Sequence, residues 1–170
     1  MNHTDRTPAS SREGCEGQVL RLLAEKGYTI SFAESCTGGL AAARLVDQPS
    51  ASGVFEESFI TYSNEAKIRR LGVSPDTIAR FGVVSEEVAA QMASGAAKVA
   101  GAQIGVGITG IAGPTGATPG KPIGMVCFGF YRAGKTETAT MRFGEIGRRA
   151  VREKSVDFVF EYLAKFLLTR

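Results

Sequence analysis

Apolar residues recur along this chain at two different spacings, and the spacing distinguishes predicted helices from predicted strands. Over residues 17–26 they return every three or four positions, which predicts a helix that Gly27 can end in a left-handed conformation. Residues 28–33 instead form a short apolar run rich in β-branched and aromatic side chains. Such a run predicts a buried strand.

The same criteria divide the rest of the chain. They predict further helices over 40–46, 64–71, 75–81, 86–100 and 147–168, and further strands over 54–62, 104–109, 123–131 and 136–143. Strands separated by helices indicate a sheet that helices cover on both faces, and a terminal hairpin around Ala133 and Gly134 makes the sheet mixed. The predicted fold is therefore an α/β domain of three layers, α/β/α, with a mixed, mostly parallel sheet.

Residues 15–170 show no internal repeat and no break in composition, so we expect a single domain. Residues 1–14 are polar and lack the apolar segment of a secretion signal, which predicts a disordered tail. No run approaches the ~20 apolar residues of a membrane span. The three cysteines are widely spaced and form no C-x-x-C pair, which is typical of a protein of the reducing cytoplasm, where we expect this one to act.

The composition restricts the chemistry that the domain can perform. His3 is the only histidine, and it lies in the predicted tail. Catalysis by Ser-His-Asp or Cys-His groups is thereby excluded from the folded part, and the general base must be Lys, Glu, Asp or Tyr. A metal site would lack imidazole ligands, so we expect neither a metal nor a cofactor. The net charge of +3 is too small to indicate direct nucleic-acid binding.

Ser35 lies where a predicted buried strand turns into a helix that opens with Gly38 and Gly39. A helix N-terminus offers free backbone N–H groups to a phosphate or to a developing oxyanion, and glycines let a ligand approach closely. The alternative is that Ser35 or Thr37 only caps the helix. Cys36 is a rival nucleophile, although without a histidine it fits better as a small buried hydrophobic residue.

Lys67 is the second candidate for catalysis. It falls in the first turn of a predicted helix, where the helix dipole and any burial would lower the pKa of its amine. A lowered pKa is what a lysine general base requires. The alternative is a solvated lysine on the surface.

A glycine-rich loop follows the strand 104–109. Residues 105–110 read G-x-G-x-x-G, but the chain continues as loop to Pro122 where a dinucleotide site needs a helix, so we reject that site. The loop either holds a phosphate or ribose or is a mobile surface lid. Arg148, Arg149 and Arg152 open the last helix and suit phosphate by bidentate pairing, although at least one fits a solvated face.

Four segments resemble the motifs of the CinA C-terminal domain family, which includes bacterial nicotinamide-nucleotide amidohydrolases. In order they are 33–39 (AESCTGG), 61–67 (TYSNEAK), 84–89 (VSEEVA), and 109–114 (TGIAGP) with 121–124 (KPIG). Two segments depart from the family pattern. Residues 82–85 read GVVS where Gly-Ala-Val-Ser is usual, and residues 146–148 read IGR where the family has Gly-Asp-Arg.

The resemblance implies an enzyme of pyridine-nucleotide salvage that converts nicotinamide mononucleotide to nicotinate mononucleotide and ammonia. Ser35 would attack the carboxamide carbon and Lys67 would take the serine proton, while Tyr62 orients Lys67 or relays a proton to the leaving ammonia. The expected contacts to substrate divide by role. In the turn after Ser35, Gly38 and Gly39 would supply the oxyanion donors, and the neighbouring Thr37 would also contact the substrate. The ribose phosphate would be held by residues of the loop and the last helix, namely Thr109, Gly110, Gly113 and Arg148.

Two alternatives stay open at this stage. Within the family, water could attack directly while Ser35 only polarises the amide. Outside enzymes, the chain could be a catalytically silent nucleotide-binding module, or a regulatory module associated with competence or damage, but the presence of both Ser35 and Lys67 favours the enzyme. Some family members carry an additional N-terminal domain, for which this chain has no room, so we expect a standalone form. A homo-oligomer is compatible with the sequence.

Overall fold

The structure, a computed structural model, describes residues 14–169. Residues 1–13 of the predicted tail, with His3, lie outside the described residues, as does Arg170. Within the described range the order of helices and strands is the one that the hydrophobic pattern predicts, although β2 is much shorter than predicted: α1 Cys15–Lys26, β1 Ile30–Glu34, α2 Leu40–Val46, β2 Phe59–Ile60, α3 Asn64–Leu71, α4 Pro75–Phe81, α5 Glu86–Ala100, β3 Ile104–Gly110, β4 Met125–Arg132, β5 Lys135–Arg142 and α6 Arg148–Phe166.

The strands form one sheet in the order β2-β1-β3-β4-β5. β1 pairs in parallel with both β2 and β3, whereas β4 pairs antiparallel with both β3 and β5. All strands but β4 therefore run in the same direction. This arrangement confirms the mixed sheet that the terminal hairpin predicted.

Helices cover both faces of the sheet. One face packs against α1, α2 and α6 through a core that includes Leu23, Phe32, Phe128 and Phe160. The other face packs against α5, and α3 and α4 lie against α5 in turn. The predicted three layers, α/β/α, are confirmed.

The glycines of β3 and β4 let α5 lie close to the sheet. A Cβ on Gly107 would stand 2.2 Å from the carbonyl oxygen of Ala89, and one on Gly105 would stand 2.0 Å from that of Ala93. A Cβ on Gly129 would meet the Ala89 oxygen at 2.4 Å. The glycines of the G-x-G pattern in β3 thus allow α5 to pack closely on the sheet. They match the sequence of a dinucleotide-binding motif, but their role here is helix packing.

Several predicted helix ends are present. The hydroxyl oxygens of Ser63, Ser74 and Ser85 accept N–H groups of the first turns of α3, α4 and α5. Gly27 ends α1 in the left-handed conformation, with φ of 65°. These local signals fix where the elements begin and end.

The strand predicted over 54–62 is wrong over most of its length. Only Phe59 and Ile60 pair with β1, Phe55 makes a single bridge to Ile30, and 51–53 form a short 3₁₀ turn. The hydroxyl oxygen of Ser58 accepts the N–H of Phe32 at 2.8 Å and so replaces a main-chain carbonyl in the ladder. The exposed pair Glu56 and Glu57 also suits an irregular edge better than a paired strand.

Candidate active site

The predicted site residues meet at the carboxyl ends of the parallel strands. Ser35 follows β1, Tyr62 follows β2, and Thr109 and Gly110 end β3. The chain leaves β1 through α2 on one face of the sheet and reaches β3 through α3, α4 and α5 on the other. The connections diverge at this edge, which is where open α/β sheets form ligand crevices.

Ser35 and Lys67 form a hydrogen-bonded pair. The ammonium nitrogen Nζ of Lys67 lies 3.0 Å from Oγ of Ser35. It also donates to the carbonyl oxygens of Thr61 at 2.7 Å and Tyr62 at 3.3 Å. The lysine thus stands within proton-transfer distance of the serine and is held there by main-chain acceptors.

Lys67 is buried, with 1% of its surface exposed. Burial lowers the pKa of its amine from 10.5 to about 8, because removal from water disfavours the charged form. The expectation of a lowered pKa is therefore confirmed, and the interpretation as a solvated surface lysine is wrong. A large share of Lys67 is neutral just above pH 8 and can accept a proton.

Cys36 is not a rival nucleophile. Its side chain is buried, and burial raises the pKa of the thiol to about 12. The thiol stays protonated at neutral pH, and only the thiolate is strongly nucleophilic. Cys36 packs with the apolar core, as expected of a small buried residue.

Glu34, which the sequence did not single out, occupies the N-terminus of α2. Its carboxylate accepts the N–H groups of Gly39 at 3.0 Å, Ala41 at 3.1 Å and Ala42 at 2.9 Å. The N–H of Gly38 donates to the Ser35 carbonyl at 3.1 Å. The prediction that the amides of Gly38 and Gly39 stabilise an oxyanion is thus wrong, because both already have acceptors. An acidic residue between a buried strand and a glycine-rich helix start was the available signal.

Two predicted substrate ligands serve other purposes. Thr37 is completely buried and lines neither pocket of the site, so it does not contact substrate as predicted. The hydroxyl of Thr109 donates to the carbonyl of Val83 at 2.9 Å. Because the Thr109 hydroxyl already donates its hydrogen bond to Val83, it can accept a hydrogen bond but cannot donate one to a phosphate. The predicted role of Thr109 as a phosphate ligand is corrected accordingly.

Tyr62 contacts Arg148 through its hydroxyl. Nη2 of Arg148 donates to Oη of Tyr62 at 2.8 Å, and Nη1 donates to the carbonyl of Gly113 at 3.0 Å. Tyr62 does contact Lys67, as one of its two predicted roles requires, but it does so through its backbone carbonyl, while its hydroxyl contacts Arg148. Arg148 joins the glycine-rich loop to the rim of the site.

The other two arginines of α6 differ from each other. Arg149 is exposed, with 89% of its side chain accessible, and pairs with Glu153 one turn later. Arg152 turns inward and donates to the carbonyls of Cys36 at 3.0 Å and Thr37 at 2.9 Å. The solvated arginine expected in this helix is Arg149, whereas Arg152 binds the turn that follows Ser35.

Two connected pockets open at this edge of the sheet. The inner pocket has a volume of about 180 Å³ and is lined by Ser35, Cys36, Tyr62, Asn64, Lys67, Val83, Val84, Thr109, Gly110, Ala112 and Arg148. The outer pocket, of about 490 Å³, shares six of these residues and adds Gly82, Ile111, Gly113, Thr115, Gly116, Thr118 and Lys121. Cationic side chains line both pockets, and neither lining contains Asp or Glu. The arrangement suits an anionic ligand.

The glycine-rich loop forms the wall of the outer pocket. Ile111 and Gly124 are joined by a backbone hydrogen bond of 2.8 Å, and Thr118 and Lys121 bond to each other through their main chains. The amine of Lys121 donates to the carbonyl of Phe81 at the end of α4. The predicted loop is present, and these contacts fix it across the crevice.

A larger cavity, of about 570 Å³, lies elsewhere, between α3, α5 and β4. Ser94 and Lys98 both line it, but the Ser94 hydroxyl donates to the carbonyl of Gln91 at 3.2 Å and Lys98 is exposed. The serine there has no base, so the smaller crevice at Ser35 is the candidate active site.

Residues 14–169 contain no group of three or more His, Cys, Asp or Glu side chains placed to hold a metal ion. Over the same described residues, no helix has the length and apolar character needed to cross a membrane.

Fold and site together define a class: a three-layer α/β domain with a buried serine–lysine pair at the carboxyl ends of its parallel strands. Residues 12–167 match the model of the CinA C-terminal domain, and the chain belongs to that family. The resemblance of the four sequence motifs is thereby confirmed.

Individual relatives agree with this assignment. A CinA-like protein from Kosmotoga olearia is 50% identical over 156 residues, which make up 92% of this chain but only 38% of that protein. A crystal structure of a CinA superfamily protein from Klebsiella pneumoniae has a TM-score of 0.86 at 37% identity, covering 90% of this chain and 95% of that one. A competence/damage inducible protein from Agrobacterium tumefaciens gives 0.84 at 38% identity, covering 91% and 96%. None of these three names specifies a reaction.

Proposed function

We propose that this domain hydrolyses the carboxamide of nicotinamide mononucleotide to nicotinate mononucleotide and ammonia. The observation that carries the proposal is the 3.0 Å hydrogen bond between Oγ of Ser35 and Nζ of a buried Lys67. A serine next to a lysine of lowered pKa is an activated nucleophile, and it does not require histidine. A cytoplasmic location is part of the same proposal.

In the proposed reaction, Ser35 Oγ attacks the carboxamide carbon while neutral Lys67 accepts the serine proton. The tetrahedral intermediate collapses as the Lys67 ammonium returns that proton to the departing ammonia. A water molecule, deprotonated by the again neutral Lys67, then attacks the acyl-enzyme. The ester bond breaks as the Lys67 ammonium returns the proton to Ser35 Oγ, and nicotinate mononucleotide leaves. Lys67 therefore acts first as base and then as acid in each half of the reaction, and the Tyr62 hydroxyl is not needed as a relay.

In the proposal the substrate occupies both pockets, whose cationic lining suits its phosphate. The inner pocket would take the pyridine ring with its carboxamide, and the outer pocket would take the ribose phosphate. Arg148 reaches both pockets and uses two of its five N–H groups on Tyr62 and Gly113, so others are free for phosphate. Lys121 lines the outer pocket and adds a second positive charge.

The test is ammonia release from nicotinamide mononucleotide by the purified chain, with nicotinate mononucleotide identified as the second product. We expect turnover that survives EDTA, because the mechanism uses only side chains. Complete loss on chelation, restored by a divalent ion, would replace it with metal-activated water. Binding of the nucleotide without any turnover would favour the second candidate, a regulatory module, which the words competence and damage in the names of relatives support.

A further inference from the structure

Arg152 of α6 makes two hydrogen bonds to the turn that carries the nucleophile. Its Nε donates to the carbonyl of Cys36 and its Nη2 donates to the carbonyl of Thr37, at 3.0 and 2.9 Å. One planar guanidinium thus binds two successive carbonyls directly after Ser35. Within the described part of the chain, Arg152 forms no ion pair with a carboxylate, and its two hydrogen bonds both go to this turn.

The remaining bonds of the turn fix the direction of its amides. Ser35 donates its N–H to the carbonyl of Ile108 in β3 at 3.0 Å, and its own carbonyl accepts from Gly38. In a trans peptide the carbonyl and the next N–H point in opposite directions. The Ser35 carbonyl points into the turn, so the N–H of Cys36 points out of it.

The N–H of Cys36 makes no main-chain hydrogen bond to another residue in the described part of the chain, and it belongs to a residue of the turn that lines the inner pocket. Cys36 lines the inner pocket beside Ser35, whereas Thr37 is completely buried. The amides of Gly38 and Gly39 already have acceptors. A backbone N–H directly after a nucleophile is well placed to stabilise the oxyanion that forms on the attacked carbonyl.

We propose that Arg152 is a positioning residue, which holds the turn so that Ser35 Oγ and the Cys36 N–H address the same carboxamide. The inference rests on the proposed function for its substrate, but its geometry concerns only the turn. Two adjacent carbonyls that face one direction repel each other, and the guanidinium offsets that repulsion while fixing the peptide planes. Loss of Arg152 lets the turn rotate, and the nucleophile and the oxyanion donor then lose their common alignment.

The experiment compares Arg152→Met and Arg152→Lys with the control Arg149→Met, whose parent side chain is exposed on the same helix. Each protein is assayed below its melting temperature, with folding checked by circular dichroism. We expect kcat for nicotinamide mononucleotide to fall on the order of a hundredfold in Arg152→Met, because misplacement by about 1 Å has that effect, while KM stays nearly constant. Arg152→Lys keeps the positive charge but lacks the planar guanidinium, so its kcat should lie between those of wild type and Arg152→Met. The kcat of Arg149→Met should match that of wild type.

A second measurement does not depend on the substrate. A fluorophosphonate reacts with an activated serine and places its phosphoryl oxygen at the oxyanion position, and mass spectrometry gives the rate of labelling at Ser35. We expect labelling of Arg152→Met to slow in parallel with kcat, and added methylguanidinium to restore part of the rate in Arg152→Ala. A merely structural role would lower the melting temperature and leave the labelling rate of the folded protein unchanged.

The outcomes separate the two proposals. If wild type does not hydrolyse nicotinamide mononucleotide but Ser35 labels in an Arg152-dependent way, the substrate is wrong and the positioning role stands. If folded Arg152→Met and Arg152→Lys label at the wild-type rate, the positioning role is overturned whatever the substrate. A wild-type Ser35 that does not react at all overturns both.

Discussion

At the scale of single residues, the environment of Lys67 decides whether the site can act near neutral pH. Its amine contacts a serine hydroxyl and two main-chain carbonyls, all of them uncharged. No carboxylate in the described chain lies within ion-pair distance to stabilise the charged form, so burial dominates and the pKa falls to about 8. Burial makes the lysine a base near neutral pH, and Lys67 thereby takes the part that a histidine plays in other serine hydrolases.

The pH dependence follows from that pKa. Neutral Lys67 is the active form, so kcat/KM should rise with pH through about 8 and then level off. The pyridinium cation of bound substrate disfavours the ammonium further, so the rise in kcat should occur at a lower pH than the rise in kcat/KM. Initial rates of ammonia release from pH 6 to 10 give both profiles.

Lys67→Met removes the amine and keeps the length of the stem, and it should abolish turnover. Lys98→Met, at an exposed lysine of α5, is the matched control and should keep the wild-type profile. A profile that is flat across this range in the chemical step, or activity retained in Lys67→Met, contradicts the role of Lys67 as base.

Arg148 gives a second prediction at this scale. A charge-assisted contact to phosphate contributes roughly 1.5–3 kcal/mol, so Arg148→Met should lower kcat/KM for nicotinamide mononucleotide about tenfold to a hundredfold. For nicotinamide riboside, which lacks the phosphate, the same variant should lower kcat/KM only slightly. Arg149→Met is the control on the exposed face of α6. An equal loss on nucleotide and nucleoside would show that Arg148 acts on Tyr62 and the loop and not on phosphate.

At the scale of elements, the contact between α5 and β3 sets the distance between that helix and the sheet. Gly107→Ala places a Cβ 2.2 Å from the Ala89 carbonyl oxygen and 2.7 Å from the Ala93 nitrogen. Both are backbone atoms of a helix and cannot move alone, so the variant should lose about 1–3 kcal/mol or more of unfolding free energy. Urea denaturation measures this as a lower midpoint at an unchanged slope.

Gly53→Ala is the control for that prediction. A Cβ there meets nothing within 4 Å, and the φ of Gly53 is not in the left-handed range, so the stability should stay close to that of wild type. If Gly107→Ala were as stable as Gly53→Ala, the close approach of α5 to the sheet would not be a constraint on this fold.

Elements also show how far sequence reasoning reaches. Capping at Ser63 and Ser85 depends on residues within four positions, so the helix starts could be predicted. The irregular edge near β2 could not, because it depends on the Ser58 hydroxyl meeting β1, 26 residues away. Glu34 was missed for a different reason: its partners lie only 5 to 8 positions further along the chain, but hydrophobic periodicity does not reveal a carboxylate that caps the following helix.

At the scale of the whole molecule, the site exists only after distant segments meet. Lys67 reaches Ser35 across 32 positions, and Arg152 reaches Cys36 across 116. The nucleophile and the base could be proposed from their local settings, at a strand end and in a first helical turn. The supporting contacts of Arg148 and Arg152 could not, because they depend on how α6 packs beside α2 and the loop.

Whether Ser35 is the nucleophile can be tested by the rate of ammonia release from nicotinamide mononucleotide by wild type and by Ser35→Ala at pH 8.5, where about half or more of Lys67 is neutral. The variant removes one hydroxyl beside the inner pocket, and circular dichroism should show an unchanged fold. We expect ready turnover by wild type and none above background in Ser35→Ala. A variant that keeps most of the wild-type kcat would mean that Ser35 is not the nucleophile.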